Sequence, residues 1–196
     1  MRLCPSYPVV TSRLRLRPLE RGDLEALLDY HSRPDVHRYL PMEHMDEATI
    51  LDRLSRGAWS RSTLEEEGQA LVLGVVLGGT GELVRDIMLR WTSSANRSGE
   101  IGYVLHPGHQ GRGYAAEAAN AILVLAFEEL GLHRVIARID ARNGPSIALS
   151  ERLGMRREAN LLENDWVRGE WTDEVDFGML ETEWRQLYPP RNERSD

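Results

Sequence analysis

The sequence predicts a mixed α/β fold, in which a largely antiparallel sheet flanked by helices contains one parallel strand-helix-strand unit. Three observations carry this expectation. Three strand-length runs, Ala70 to Leu77, Glu82 to Trp91 and Glu100 to Leu105, follow one another across the short links Gly78-Gly79-Thr80-Gly81 and Thr92 to Gly99, which imply antiparallel pairing. A long helical run, Tyr114 to Leu130, places Ala115, Ala118, Ile122 and Leu125 on one face and ends at Gly131. A strand, Arg134 to Ile139, follows it, so residues 100–139 make a crossover unit of the parallel type, right-handed by the general rule.

The remaining elements follow from local signals. Thr11 to Pro18 alternates Leu14 and Leu16 with Arg13, Arg15 and Arg17, the period of a half-buried strand. Gly22-Asp23 opens a helix with Leu24, Leu27 and Leu28 on one face, Asp23 as its expected N-cap and Pro34 limiting it. Asp46 caps a second helix striped by Ile50, Leu51 and Leu54, and the polar connection Gly57 to Gly68 is expected to be mobile. Asn143-Gly144-Pro145-Ser146 reads as a turn feeding a short helix through Leu153, with Gly154 as a left-handed stop. Met155 to Trp166 and Val175 to Leu180 then flank Arg168-Gly169 as strands, and Glu181 to Tyr188 forms a last helix. A length of 196 residues predicts one domain over residues 1–188, with 189–196 as a frayed polar tail.

Composition excludes several chemistries. All 24 basic residues are arginine. Without a lysine the chain cannot build a P-loop, a pyridoxal Schiff base or an S-x-x-K nucleophile. The net charge of -7 argues against a nucleic-acid partner and suits a cationic one. No run reaches the roughly 18 apolar residues of a membrane span, and residues 1–10 lack the layout of a secretory signal, so the expected compartment is the cytoplasm. A lone Cys4 allows no internal disulfide, and the six histidines show no metal-ligand spacing, so no metal is expected.

The chemistry concentrates at Pro107-Gly108-His109-Gln110-Gly111-Arg112-Gly113, between a strand and a helix. Backbone N–H groups and a helix N-terminus converge there on an anion, and Gly111 and Gly113 remove the Cβ atoms that would keep a diphosphate away. The string Gly111-x-Gly113-x-x-Ala116 also fits a dinucleotide fingerprint, with Asp140 ending the next strand. A doubly wound sheet needs repeated strand-helix units, however, whereas antiparallel strands precede the only unit here, and Pro107 to Gln110 separate the first glycine from its strand.

These residues resemble the GNAT acetyltransferases, whose acetyl-CoA loop Q/R-x-x-G-x-G/A is filled by Gln110, Gly113 and Ala115. The likeness continues through Glu100-Ile101-Gly102-Tyr103-Val104-Leu105-His106-Pro107, Glu117, Asn143, Ser146 and Leu153-Gly154-Met155. With Thr11-x-Arg13-Leu14-x-Leu16-Arg17-Pro18 and Gly169-Glu170-Trp171-x-Asp173, it is similar to the RimJ/RimL-type branch, named for acetylating ribosomal-protein N-termini. The resemblance implies a GNAT fold whose single parallel pair splays open to admit the pantetheine arm. It places that arm against the backbone of Tyr103, Val104 and Leu105, and the diphosphate against Gln110, Gly111, Arg112, Gly113, Tyr114 and Ala115. Asn143 and the Ser146 helix complete the implied acetyl-CoA contacts.

Acyl transfer to an amine requires a neutral nucleophile, stabilisation of the oxyanion and a proton for the departing thiolate. Glu100, at a position where some relatives carry a base, is the first candidate for the general base and Asp165 the second. Many relatives place a tyrosine in the helix after the asparagine. Ser150 stands there instead, which leaves Ser146 and Ser150 as candidate proton donors. The expected activity is acetyl-CoA-dependent transfer to a primary amine, a protein N-terminus or a small molecule, by direct attack in a ternary complex. A non-catalytic acyl-CoA sensor is the alternative, and family habit suggests a homodimer.

Overall fold

The computed structural model describes residues 1–105, 107–109 and 111–189, so the readings made for His106, Gln110 and residues 190–196 lie outside it. Its eight strands are β1 (Val9–Val10), β2 (Leu14–Pro18), β3 (Ala70–Leu77), β4 (Leu83–Ser93), β5 (Ser98–Leu105), β6 (Arg134–Asp140), β7 (Arg156–Val167) and β8 (Glu170–Leu180). They form one sheet in the order β1-β2-β3-β4-β5-β6-β8-β7. Every neighbouring pair is antiparallel except β5 and β6, the pair expected to be parallel. The helices are α1 (Leu24–His31), α2 (Glu47–Ser55), α3 (Tyr114–Val124), α4 (Gly144–Arg152) and α5 (Glu181–Leu187).

The unbroken apolar run of β3 is explained by burial on both faces, because helices cover each side of the sheet. Leu71, Leu73 and Val75 join Ile87, Leu89, Ile122, Phe127 and Trp184 in one core. Val72 and Val76 point the other way, into a second core with Leu27, Tyr30, Ile50, Leu54 and Trp59.

Asp46 caps α2 as expected, accepting from the Thr49 N–H at 2.8 Å, but Asp23 does not cap α1. A single 3-10 turn, Arg21–Asp23, precedes that helix, and the Asp23 carboxylate turns back to the Glu20 N–H at 2.8 Å and to both Arg17 guanidinium nitrogens at 2.7 Å. An available arginine outcompeted the helix N-terminus. The connection at 57–68 is anchored rather than loose: Trp59 is buried, and Leu64 is buried and bridged to Leu3. The helix begun at Tyr114 widens into a π-helical turn at Leu125–Glu129, with the Leu130 N–H bonded to Leu125 O at 2.9 Å. Strand β8 starts at Glu170, five residues earlier than Val175, and β1 had no signal in the sequence.

The first turn of α3 is tied to the β1–β2 turn through Glu117. Its Oε1 accepts from the Thr11 hydroxyl (2.6 Å), the Ser12 hydroxyl (2.9 Å) and the Arg13 N–H (2.8 Å), and Oε2 accepts from Arg13 Nε at 2.7 Å. Burial alone would raise this carboxyl, but the four donors outweigh it and hold it at about 2. Because the folded value lies below the ordinary 4.5, the anchor stabilises the protein fully above about pH 4.5 and is lost as pH falls through about 2. Glu117→Ala is therefore expected to lower stability by about 1–3 kcal/mol near neutral pH, with the gap from the parent closing in acid, as read by urea denaturation across pH.

Candidate active site

The sheet opens where its only parallel pair ends. Strands β5 and β6 pair over just three positions, Ser98↔Arg134, Gly99↔Val135 and Glu100↔Ile136. Beyond them β5 stays bound to β4 as far as Arg85↔Leu105, and β6 stays bound to β8 as far as Asp140↔Glu174. The main-chain groups of residues 101–105 that point away from β4 thus have no β6 partner and line a gap suited to a peptide-like arm.

A cavity of about 700 Å³ runs through this gap. On the α1–α2 side it is bounded by His31, Tyr39, Met42 and Asp86, and on the other by Tyr103, Asn143 and Ser146. The β7–β8 hairpin closes it with Asp165, Thr172 and Glu174. A wall also comes from residues 37–42, held in place by Arg168 at the hairpin turn. That guanidinium donates to the carbonyls of His37 (2.6 Å), Arg38 (3.2 Å), Leu40 (3.1 Å) and Met42 (2.9 Å).

At the mouth of the gap lies the described part of the glycine-rich loop. Gly111 and Gly113 have φ of +75° and +77°, a conformation L side chains rarely adopt, and Gly113 is the N-cap of α3. Arg13 donates to Arg112 O at 2.9 Å and lies 4.9 Å from the Tyr114 ring centroid, fixing the loop against β2. The Arg112 side chain itself is exposed. Tyr114 and Ala115 begin the helix half-buried, and Val104 faces the second core.

Asn143 caps α4, its Oδ1 accepting from the Ser146 N–H at 3.2 Å. The Tyr103 hydroxyl crosses the gap to donate to Ser146 O at 2.9 Å and lies 3.4 Å from Ser150 Oγ. Ser150 is buried and absent from the cavity lining, so Tyr103 stands between it and the open space. Burial raises the Tyr103 phenol above its usual range, opposed by its bonds to Ser150 and Ser146.

Of the candidate bases, Glu100 lines the cavity but gives one oxygen to Arg138 at 2.9 Å. Asp165 lines it beside a residue that sequence reasoning missed, Glu174. A bulge between Leu161 and Asp165, with Glu163 at φ +47°, turns the Asp165 side chain toward β8. Burial first, then the negative charges of Asp165 and Asp176 and a hydrogen bond with Asp165, push the Glu174 carboxyl up to about 7. Glu174 therefore holds a proton near neutrality, beside the exposed Asp165. Opposite them, Asp86 Oδ1 accepts from the Tyr30 hydroxyl at 2.6 Å and meets His31 Nε2 at 2.8 Å, while His31 Nδ1 lies 3.1 Å from His37 Nε2. The described residues include no His, Cys, Asp and Glu cluster suited to a metal. Among them, too, no helix is long and apolar enough to cross a membrane.

A parted parallel pair, a helix N-terminus at its mouth and an acidic cavity beyond make a candidate site for an acyl-CoA-dependent transferase. The family profile described as Acetyltransferase (GNAT) domain matches residues 13–156, and the chain belongs to the GNAT acetyltransferases, in their RimJ/RimL-like branch. It is thus a GNAT N-acetyltransferase using acetyl-CoA. It is 32% identical to the uncharacterized N-acetyltransferase YnaD of Bacillus subtilis (strain 168), over 90% of this chain and 98% of that protein. It is 27% identical to a spermidine N(1)-acetyltransferase of Vibrio cholerae, over 89% of this chain and 97% of the relative. A GNAT-family acetyltransferase from Bacillus anthracis superposes with a TM-score of 0.79 at 31% identity, covering 93% of this chain and all of the other. The Vibrio cholerae spermidine N-acetyltransferase crystallised with CoA and spermine shares the fold, with a TM-score of 0.75 at 23% identity, over 89% of this chain and 99% of that one.

Proposed function

We propose that the chain acetylates a primary amine carrying positive charge, by direct attack on acetyl-CoA in a ternary complex, with the Glu174–Asp165 pair as base. The observation that carries this reading is the carboxyl at about 7 on the cavity wall. An amine of ordinary pKa, about 8 for an α-amine and 10.4 for a lysine-type amine, enters as a cation and must lose a proton before it can attack. Other acids around the cavity are already engaged: Glu100 by Arg138 and Asp140 by Arg142. Among the described residues the pair on the hairpin has no such ion pair, which favours a cationic acceptor. The spermidine-acetylating relative at 27% identity supports that acceptor class.

The carboxylate pair takes one proton from the ammonium, the freed nitrogen bonds to the thioester carbonyl carbon, and as the C–S bond breaks the nitrogen sheds a second proton, which balances the one the thiolate takes up. Main-chain N–H groups of β5 in the gap face the developing oxyanion. The Tyr103 hydroxyl supplies the proton to the thiolate and takes one back through Ser150 Oγ, 3.4 Å away. Gly111 to Ala115 hold the diphosphate, while Asn143 and the N-terminus of α4 flank the pantetheine arm.

The remaining expectations belong to the same reading. It places the enzyme in the cytoplasm as one domain over residues 1–188. A homodimer through the edge strand β7, where Leu161, Leu162 and Trp166 are exposed, fits as well.

The test is thiol release from acetyl-CoA over a panel of polyamines, aminoglycosides, amino acids and peptides with free N-termini. Turnover with the highest kcat/KM on a multiply charged amine is the expected result. Tight CoA binding with no turnover on any member would instead establish the sensor reading.

A further inference from the structure

We propose that Arg85 is a buried cation of the acetyl-CoA site, its guanidinium hydrogen-bonding the diphosphate of the bound coenzyme from beneath Gly111 to Gly113 and the N-terminus of α3. The inference rests on the reading that those phosphates lie at that loop.

Arg85 is only 1% exposed, yet its Nε and Nη1 have no hydrogen-bond partner among the described residues. A fully buried guanidinium with two empty donors is costly, and such groups are normally paired. Its neighbour Asp86 does not pair it, since that side chain faces the opposite side of the sheet toward Tyr30 and His31. Burial pulls the guanidinium down to about 10, as expected for a cation without a bonded anion.

Its location supplies the missing partner. Arg85 shares its sheet face with Ile87 and Leu89, the face packed against α3, and it sits directly opposite Leu105, the last residue of β5. The chain leaves β5 there, turns through Pro107–His109 and enters α3 at Tyr114. His109 Nε2 lies 3.2 Å from Glu82 Oε1, so the turn Pro107–His109 lies against the start of β4, three residues before Arg85. A helix N-terminus supplies partial positive charge above, and an unpartnered guanidinium supplies a full one below. A diphosphate between them would satisfy both, and arginine's planar fork matches phosphate oxygens.

The experiment uses the full chain and two probes: acetyl-CoA, and S-acetylpantetheine, which carries the same thioester without phosphate. For Arg85→Met, CoA affinity and kcat/KM with acetyl-CoA are expected to fall about 10- to 100-fold, as for a lost charge-assisted bond. Turnover of S-acetylpantetheine should be unchanged, and the melting temperature of the ligand-free protein should hold or rise, because an unsatisfied buried charge has gone. Arg85→Lys, which keeps the charge, should recover part of the affinity. Unchanged CoA affinity in Arg85→Met, equal losses with both probes, or a sharp fall in ligand-free stability would each overturn the proposal. Gly113→Glu separates the two readings. If it abolishes CoA binding while Arg85→Met does not, only the role of Arg85 fails; if neither weakens CoA, the loop assignment fails with it.

Discussion

Replacing Glu174 with glutamine is expected to lower kcat/KM for the amine by about 10²- to 10⁴-fold, the range for loss of a positioned general base, without weakening acetyl-CoA binding. A base works only when deprotonated, so kcat/KM in the parent should rise with pH and level off above about 7, the value to which Glu174 is pushed. The variant should lack that limb. Asp165→Asn provides the check, because removing the neighbouring charge returns Glu174 toward its ordinary range and should move the limb to lower pH. A stability readout follows from the same shift. The folded value lies above the ordinary 4.5, so the stability contributed by protonated Glu174 is complete below about pH 4.5 and lost as pH rises through about 7. Glu174→Gln cannot ionise, so its melting temperature should pull ahead of the parent's as pH rises from about 4.5 to about 7 and hold that lead above 7. A pH limb surviving in Glu174→Gln would remove the residue from the base role.

Gly113→Glu is expected to abolish acetyl-CoA binding while the chain still folds. At φ +77° any side chain is strained, and a Cβ there would sit 3.3 Å from Arg13 Nη2, tight but against the flexible end of a side chain. A misplaced left-handed residue costs on the order of 1–2 kcal/mol, which a domain of this size survives. The carboxylate would lie at the helix N-terminus where the diphosphate belongs, exchanging attraction for repulsion. Gly113→Ala separates strain from charge, since it should lose some stability and keep most of its affinity. Thermal denaturation with and without CoA reads both effects, and a full CoA-induced shift in Gly113→Glu would refute the cradle.

Local patterns carried much of this architecture. The three apolar runs became β3, β4 and β5 because both faces of that part of the sheet are covered, and Asp46 and Asn143 act at the helix starts their side chains suit. The open parallel pair could be inferred only by resemblance, since nothing in residues 100–105 or 134–140 encodes where pairing stops. Glu174 escaped notice because the alternation of Val175, Phe177 and Met179 reports the core face of β8, while Thr172, Glu174 and Asp176 lie on the other. Its partnership with Asp165 depends on a bulge that no local pattern announces. Arg85 reads in sequence as one charge among many; only the empty bonding positions around it mark it out. Asp23 was misjudged because a capping aspartate and a salt-bridging aspartate have the same letter, and the deciding arginine lies on β2.

The grip of Arg168 on residues 37–42 has a consequence for how such an enzyme diversifies. Because the guanidinium meets residues 37–42 only at peptide oxygens, with Glu43 as its side-chain ion pair, its grip does not depend on the identities of Tyr39, Leu40 and Met42. On the proposed reading, the surface that greets the incoming amine can then be rewritten one letter at a time, while the half assigned to the coenzyme stays as it is.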